Sequence, residues 1–127
     1  MFSVNFTEYS QSVTEFLNKA VALGLAQLSH LEIDQKSPLR GYVNAILRFS
    51  DDSELHIREF FDGTQAEPRV MYAYHYQDAE KNLRFRYDNA LHRPPIGQKE
   101  HKHTTSGVVP VFPPSLQEII DEALGYL

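Results

Sequence analysis

The feature that most constrains this fold is a succession of five strand-like segments between residues 28 and 87, separated by short polar turns. The segments read LSHLEID, YVNAILRF, ELHIREFF, RVMYAYHY and LRFRY. Apolar and polar side chains alternate along most of them, as on strands that bury one face. The turns are too short for the crossover helices that join parallel strands. The pattern therefore predicts an antiparallel meander of about five strands.

A helix is predicted at each end of the chain. Apolar residues recur at helical spacing over about residues 8–23, and Gly24 suits the end of that helix. Near the C-terminus, Ser115 and Glu118 have capping-box spacing, two prolines precede them and an apolar stripe follows. A chain of 127 residues, 42% of them apolar, can bury one core. We therefore predict a single α+β domain over residues 1–127, with both helices packed on the sheet.

Composition excludes several kinds of protein. The chain has no cysteine, which excludes disulfides, cysteine-ligated metal centres and thiol catalysis. The N-terminal segment lacks the basic and apolar regions of a secretory signal, and no window approaches the roughly 20 apolar residues of a membrane span. We therefore expect a cytoplasmic protein with no membrane partner.

Positive charge is concentrated in one segment of an acidic chain. The formal net charge at pH 7 is −5, which by itself disfavours a nucleic-acid partner. Residues 81–102 nevertheless carry a formal charge of +4, which leaves −9 on the rest of the chain. The basic residues of this segment are Lys81, Arg84, Arg86, Arg93, Lys99 and Lys102. The asymmetry makes this segment the candidate surface for a polyanion.

The same segment, extended by one residue, contains three of the six histidines, His92, His101 and His103. All three fall within residues 89–112, a long stretch with several prolines and glycines that we predict as a loop folded over the last strands. A loop of that length in a compact domain is uncommon unless it serves a function or is disordered. In an extended chain, His101 and His103 would project to one side and Lys102 to the other.

Three uses of these histidines are open. As a proton-exchanging pair, His101 and His103 could take a proton from a ribose 2′-hydroxyl and return one to the leaving oxygen, with arginine or lysine stabilising the charge on phosphorus. Together with His92 and Asp88 they could instead ligate a metal ion. They could also be solvated residues of a polar loop.

The strand before the loop carries further candidates. Arg84 and Arg86 alternate with apolar residues, so both guanidiniums are predicted on the face opposite the core. There they could bind phosphate or pair with acids of a neighbouring strand. At the end of this strand, Asp88 could orient one of the histidines, or Asp88 and Asn89 could form only a local turn.

Polar residues on the earlier strands are interpreted more simply. Glu59 has the parity of apolar neighbours, which predicts either a bulge near Phe60 or a contact of the carboxylate with arginine or histidine at a functional surface. Three tyrosines of one parity are interpreted as core and cross-strand packing, namely Tyr72, Tyr74 and Tyr76. The remaining histidines are interpreted as structural or exposed, namely His30, His56 and His75.

The combination of RYDN, a histidine three residues later, HKH and a proline-capped terminal helix resembles the TumE-like family of small bacterial toxins. The resemblance covers roughly residues 43–124. It is carried by Arg86, Tyr87, Asp88, Asn89, His92, His101, Lys102 and His103. It implies the toxin of a toxin–antitoxin pair whose partner is a small helix-turn-helix antitoxin.

The resemblance and the chemistry together predict a toxin that acts on RNA as a metal-independent endoribonuclease-like enzyme without a cofactor. No dense carboxylate cluster for Mg²⁺ accompanies the histidines. The predicted catalytic residues are Tyr87, Asp88, His92, His101 and His103. The predicted substrate-binding residues are Arg84, Arg86, Asn89, Arg93 and Lys102. The alternatives are a non-catalytic regulatory domain that binds protein or nucleic acid, and a hydrolase that depends on a histidine-ligated metal.

Overall fold

The described part of the chain is built on one meandering sheet. A computed structural model describes residues 4–90 and 100–127. The helices are α1 (Phe6–Ala22) and α2 (Leu116–Leu124). The strands are β1 (Gln27–Ser37), β2 (Arg40–Arg48), β3 (Glu54–Asp62), β4 (Arg69–Gln77), β5 (Leu83–Asp88), β6 (His101–Thr104) and β7 (Gly107–Pro110). Within these residues the seven strands are joined in sequence order, and every neighbouring pair is antiparallel.

The predicted α+β class with a helix near each end is confirmed, but the prediction of about five strands is wrong. The two additional strands, β6 and β7, form a hairpin inside the stretch 89–112 that the sequence predicts as a loop. Each is only four residues long, and β6 reads HKHT, so β6 carries no apolar alternation. These strands form because β6 extends the hydrogen-bonded ladder of β5, a tertiary effect that local propensity does not reveal.

Local contacts determine where α1 begins. The Asn5 side chain accepts a hydrogen bond from the Glu8 N–H at 3.2 Å, which caps the first turn. The N–H of Phe6 donates to the Pro38 carbonyl at 2.9 Å, which ties the start of the helix to the turn before β2. The Phe6 ring packs on Gly41, where a Cβ would lie 2.3 Å from the ring. Glycine at this position therefore allows α1 to lie close to β2.

The hydrophobic core lies between the helices and one face of the sheet. Each side chain of this core is less than 10% exposed, and burial of one large apolar side chain contributes about 1.5–3 kcal/mol. The predicted core role of Tyr72, Tyr74 and Tyr76 is confirmed, since they are 5%, 0% and 0% exposed. The helices contribute Phe6, Val13 and Leu17 from α1 and Ile119, Ile120 and Ala123 from α2.

Glu59 is buried beside this core, with 3% of the residue exposed. The pairing of β3 with β4 shifts register just after Phe60, yet the carboxylate still faces inward. It accepts hydrogen bonds from the hydroxyl of Tyr9 at 2.5 Å and from the hydroxyl of Tyr74. Arg69 in turn donates to the Tyr74 hydroxyl at 2.8 Å. Glu59 is thus paired inside the protein, which offsets the desolvation of its charge.

The other face of the sheet, here called the open face, carries basic, acidic and apolar side chains in rows of cross-strand partners. The first row is His30, Ile46, His56, His75, Arg86, His103 and Val108. The second row is Glu32, Asn44, Arg58, Ala73, Asp88, His101 and Pro110. The third row is Asp34, Tyr42, Phe60 and Met71. Because cross-strand partners lie about 5 Å apart, each row brings together residues that are distant in sequence.

Candidate active site

The pairing of β5 with β6 assembles the candidate site. Asp88 is the cross-strand partner of His101, and Arg86 is the partner of His103. Side chains of a strand alternate between faces, so these four residues share the open face. The predicted co-facial arrangement of His101 and His103 is therefore what the structure has, and their imidazole centroids lie 4.7 Å apart.

The Asp88 carboxylate is the centre of this group. Its Oδ1 lies 2.6 Å from His101 Nε2, and its Oδ2 lies 2.9 Å from Arg86 Nε and 3.4 Å from His103 Nε2. The backbone N–H of Ala90 donates to Oδ1 at 3.2 Å. One carboxylate thus faces a guanidinium and two imidazoles, as predicted for a residue that orients histidines.

Burial divides these four residues into a support and a reachable surface. The side chains of Asp88 and His101 are 6% and 2% exposed, whereas those of Arg86 and His103 are 38% and 26% exposed. The Asp88–His101 contact is shielded from water. Hydrogen bonds to a charged group are stronger inside a protein than in water. Arg86 and His103 can be reached from solvent. The arrangement can therefore bind an anion through Arg86 and present an oriented imidazole beside it.

The same residues could hold a metal ion. One ligand atom each from Asp88, His101 and His103 can be chosen so that all lie within 4.8 Å of one another. Two imidazoles and a carboxylate suit zinc or a similar transition metal better than Mg²⁺. In the described geometry, however, Arg86 and His101 both contact the carboxylate oxygens at hydrogen-bond distance. A metal bound by Asp88 would have to displace one or both contacts.

Histidines and an arginine on β3 and β4, not predicted as site residues, lie beside this group. His75 is the cross-strand partner of Arg86, with 3.4 Å between His75 Nδ1 and Arg86 Nη1. Burial, followed by the charge of Arg86, lowers the pKa of His75, which favours the neutral imidazole. His56, on β3, is the cross-strand partner of His75. Arg58, two residues along β3 from His56, belongs to the second row. The sequence does show that these residues alternate with core residues and so share the outer face of their strands. It does not show the pairing register that aligns them with Arg86 and His103.

Tyr87 and Lys102 lie on the opposite face from the histidines. The hydroxyl of Tyr87 donates to one carboxylate oxygen of Glu122 at 2.6 Å, and Lys102 Nζ donates to the other at 2.7 Å. Burial alone would lower the pKa of Lys102, but its hydrogen bonds with Glu122 and Tyr87 raise it. Both residues therefore attach β5 and β6 to α2. The structure does not bring them to the histidines.

The prediction that Arg84 and Arg86 share one face is wrong. Arg84 donates to the Tyr76 hydroxyl at 3.0 Å and to Asp51 at 3.3 Å, and its guanidinium lies 5.2 Å from the ring centre of Tyr126. These contacts lie beside the core rather than on the open face. The physical reason is an irregularity in the β4–β5 pairing next to Tyr76, at the start of β5, which breaks the simple alternation.

Asn89 is built into the sheet. Its side-chain oxygen accepts from the Tyr72 N–H at 3.0 Å, and its side-chain amide donates to the Val70 carbonyl at 3.1 Å. The residue is 6% exposed, so it continues the pairing with β4 beyond the end of β5. The remaining predicted site residues, His92 and Arg93, lie outside the described residues.

Comparison with known proteins gives one decisive match. A family model described as toxin TumE matches residues 6–127, nearly the whole chain. The chain belongs to the TumE toxin family. The match confirms the resemblance drawn from RYDN and HKH, and it also includes α1. Searches of curated proteins and of solved structures found no match.

Membership in this family assigns the chain as the toxin component of a toxin–antitoxin system, which implies an antitoxin partner. In the described part of the chain, neither α1 nor α2 combines the length and hydropathy that a bilayer-spanning helix requires.

Proposed function

We propose that this TumE-family toxin is a metal-independent, endoribonuclease-like enzyme whose active site is Asp88 with the side chains around it. The observation that supports this is the contact of one buried carboxylate with Arg86, His101 and His103 on a single face of β5 and β6. RNA cleavage without a metal needs groups that exchange protons and a cation that stabilises the phosphorane charge. Imidazoles and a guanidinium supply both.

The proposed reaction transfers a phosphoryl group within the RNA. An imidazole removes the proton of a ribose 2′-hydroxyl, and that oxygen forms a bond to the adjacent phosphorus. The bond from phosphorus to the 5′-oxygen breaks, and the leaving oxygen receives a proton from water. The products are a 2′,3′-cyclic phosphate and a 5′-hydroxyl, so atoms and charge balance without an additional reactant.

Exposure assigns the roles of the four residues. His103 and Arg86 are reachable, so His103 exchanges a proton with the substrate and Arg86 binds the phosphate that is attacked. Asp88 orients the imidazoles through its two oxygens, as carboxylates do in other histidine-based sites. The buried His101 holds Asp88 in place and does not itself reach the substrate, so the leaving oxygen takes its proton from water.

The distribution of charge on the open face also supports an RNA target. The first and second rows place Arg58, His56 and His75 beside the four site residues. A focused basic surface can attract a polyanion even when the whole chain has a net charge of −5. Arg84 and Lys102 do not contribute to this surface, because their contacts with Tyr76 and with Glu122 lie on the side of the core and of α2.

Incubation of purified protein with RNA tests the proposal. We expect cleavage that persists in EDTA and leaves cyclic phosphate and 5′-hydroxyl ends. His103→Ala should reduce the rate by about 10²–10⁴-fold, the usual contribution of a positioned proton-transfer group. His30→Ala is the matched control, because this half-exposed histidine lies on β1, four strands away from β5 along the first row, and should not affect cleavage. Wild-type activity in His103→Ala would contradict the proposal.

A metal-dependent hydrolase is the second candidate, favoured by the close approach of Asp88, His101 and His103 ligand atoms. Loss of cleavage in EDTA and recovery with one divalent cation would support this candidate and exclude the first. Growth inhibition by a protein that cleaves no RNA under either condition would instead favour a toxin that acts by binding.

The partner that we propose is a small helix-turn-helix antitoxin encoded beside the toxin. Expression of the toxin alone should inhibit growth, and co-expression of the neighbouring reading frame should restore it. Absence of inhibition by the toxin alone would argue against a toxic activity of this chain. Restoration by a protein without a helix-turn-helix pattern would correct the partner and leave the toxin assignment intact.

A further inference from the structure

A shallow cavity of about 210 Å³ opens on the open face beside the site. The cavity lies over a small residue, Ala73, which is between Arg58 and Asp88 in the second row. The methyl group of Ala73 leaves a depression between two longer side chains. Arg58, Asp88 and Arg86 all line this cavity, so it is continuous with the proposed active site.

The part of the third row from Tyr42 to Met71 forms an apolar border of the same cavity. Tyr42 and Phe60 are cross-strand partners, and their ring centroids lie 4.7 Å apart. Tyr42 is 41% exposed. Met71, the cross-strand partner of Phe60 on its other side, is 61% exposed. All three residues line the cavity. A contiguous apolar patch left open to solvent in this way is typical of a binding surface.

The cavity therefore combines an apolar border with two guanidiniums a short distance away, and the carboxylates of Glu59 and Asp88 also line it. The second and third rows are two residues apart along each strand, which is about 7 Å. Arg58 and Arg86 lie toward the active site, and Tyr42 lies on the other side. A nucleotide has the same division, with an aromatic base that stacks and a phosphate that pairs with guanidinium.

We infer that this cavity is a nucleotide subsite for single-stranded RNA, in which an unpaired base stacks on Tyr42 and the neighbouring phosphate contacts Arg58 and Arg86. The inference rests on the proposed function, because it gives the substrate strand its position beside His103. A base within a duplex cannot stack on a protein ring, so the subsite selects unpaired RNA. Asn44 also lines the cavity and carries the amide donor and acceptor needed to contact a base edge.

Binding measurements separate this subsite from catalysis. The probe is a fluorescently labelled, unpaired oligoribonucleotide, measured by anisotropy with the His103→Ala variant in EDTA so that the probe stays intact. Loss of one stacking contact weakens binding by about 1–3 kcal/mol, so adding Tyr42→Ala should raise Kd roughly 5- to 150-fold. Tyr42→Phe, which keeps the ring, should bind as the parent does.

Two controls show whether the effect is stacking. An abasic oligonucleotide of the same length should bind equally to the parent and to the Tyr42→Ala protein. Phe112→Ala should bind like the parent, because this ring is 92% exposed but does not line the cavity. An unchanged Kd in Tyr42→Ala, or equal weakening with the abasic probe, would overturn the inference.

The remaining outcomes distinguish this inference from the proposed function. Cleavage by the wild type with RNA binding unaffected by Tyr42→Ala would leave the enzyme assignment in place and remove the subsite. Base-dependent binding through Tyr42, with no cleavage by the wild type, would leave the subsite and remove the enzyme. If Tyr42→Ala weakens binding of the antitoxin and not of RNA, the cavity is a protein interface and the inference is wrong.

Discussion

Replacement of Asp88 tests whether one buried carboxylate holds the last hairpin on the sheet. Asp88 accepts from His101, which is 2% exposed, and from Arg86, which is 38% exposed. Asp88→Ala removes a hydrogen-bond acceptor from a buried imidazole, a loss of about 1–3 kcal/mol. The partly exposed Arg86 regains water, so its lost pairing adds at most about 1 kcal/mol. We expect Asp88→Ala to lower the free energy of unfolding by about 1–4 kcal/mol.

Asp88→Asn refines this prediction, because asparagine keeps one acceptor oxygen for His101 but not the charge. The expected loss is about 1–2 kcal/mol, the difference between a charge-assisted and a neutral hydrogen bond. Urea unfolding followed by circular dichroism measures both variants, and the change is interpretable if the urea dependence of the free energy stays constant.

The matched control is Asp34→Asn on β1. This carboxylate pairs with Lys36 at 2.9 Å, but both side chains are about half exposed, so no measurable change in the free energy of unfolding is expected. If Asp88→Ala unfolds within about 0.5 kcal/mol of the wild type, as ordinary surface substitutions do, the contact with His101 does not hold β6 on the sheet. That result would refute the reasoning.

Three further predictions concern other parts of the molecule. Lys102→Met should leave the rate of RNA cleavage unchanged, because the Lys102 ammonium contacts α2 on the face opposite the histidines. A lower rate of cleavage would show that Lys102 contributes to the active site. Gly41→Ala should lower the free energy of unfolding by about 1–3 kcal/mol, measured in urea, because its Cβ would lie 2.3 Å from the Phe6 ring. Burial and a neighbouring carboxylate raise the pKa of Tyr9 and Tyr74 above 10.0. The stability that they contribute is therefore full below pH 10 and lost above it, and absorbance titration should show both ionising only on unfolding.

Long periodic segments explain how much of the fold could be predicted. The two helices and the first five strands each present an apolar stripe or alternation that only one kind of element can bury. The hairpin of β6 and β7 has no such signal, because its strands are short and β6 is polar. Its strands are determined by pairing with β5, which is a property of the folded protein.

The site could be predicted in part for the same reason. The pleat of a strand is enough to place His101 and His103 on one face with Lys102 on the other. The partner of Lys102 could not be predicted, because Glu122 lies twenty residues further on in a separate helix. The pairing of Asp88 with His101 depends on the register between β5 and β6. The sequence between these strands contains no pattern that sets this register.

The strictly sequential order of the sheet has a consequence for protein synthesis. Among the described residues, β6 pairs with β5 and β7, so the histidines that contact Asp88 lie C-terminal to the first five strands of the sheet. Domains emerge from the ribosome N-terminal end first, and a nascent chain that ends before His101 lacks half of the proposed site. Under the proposed function, a nascent chain of this kind cannot cleave RNA. The antitoxin is then needed only once β6 has been synthesised and has paired with β5.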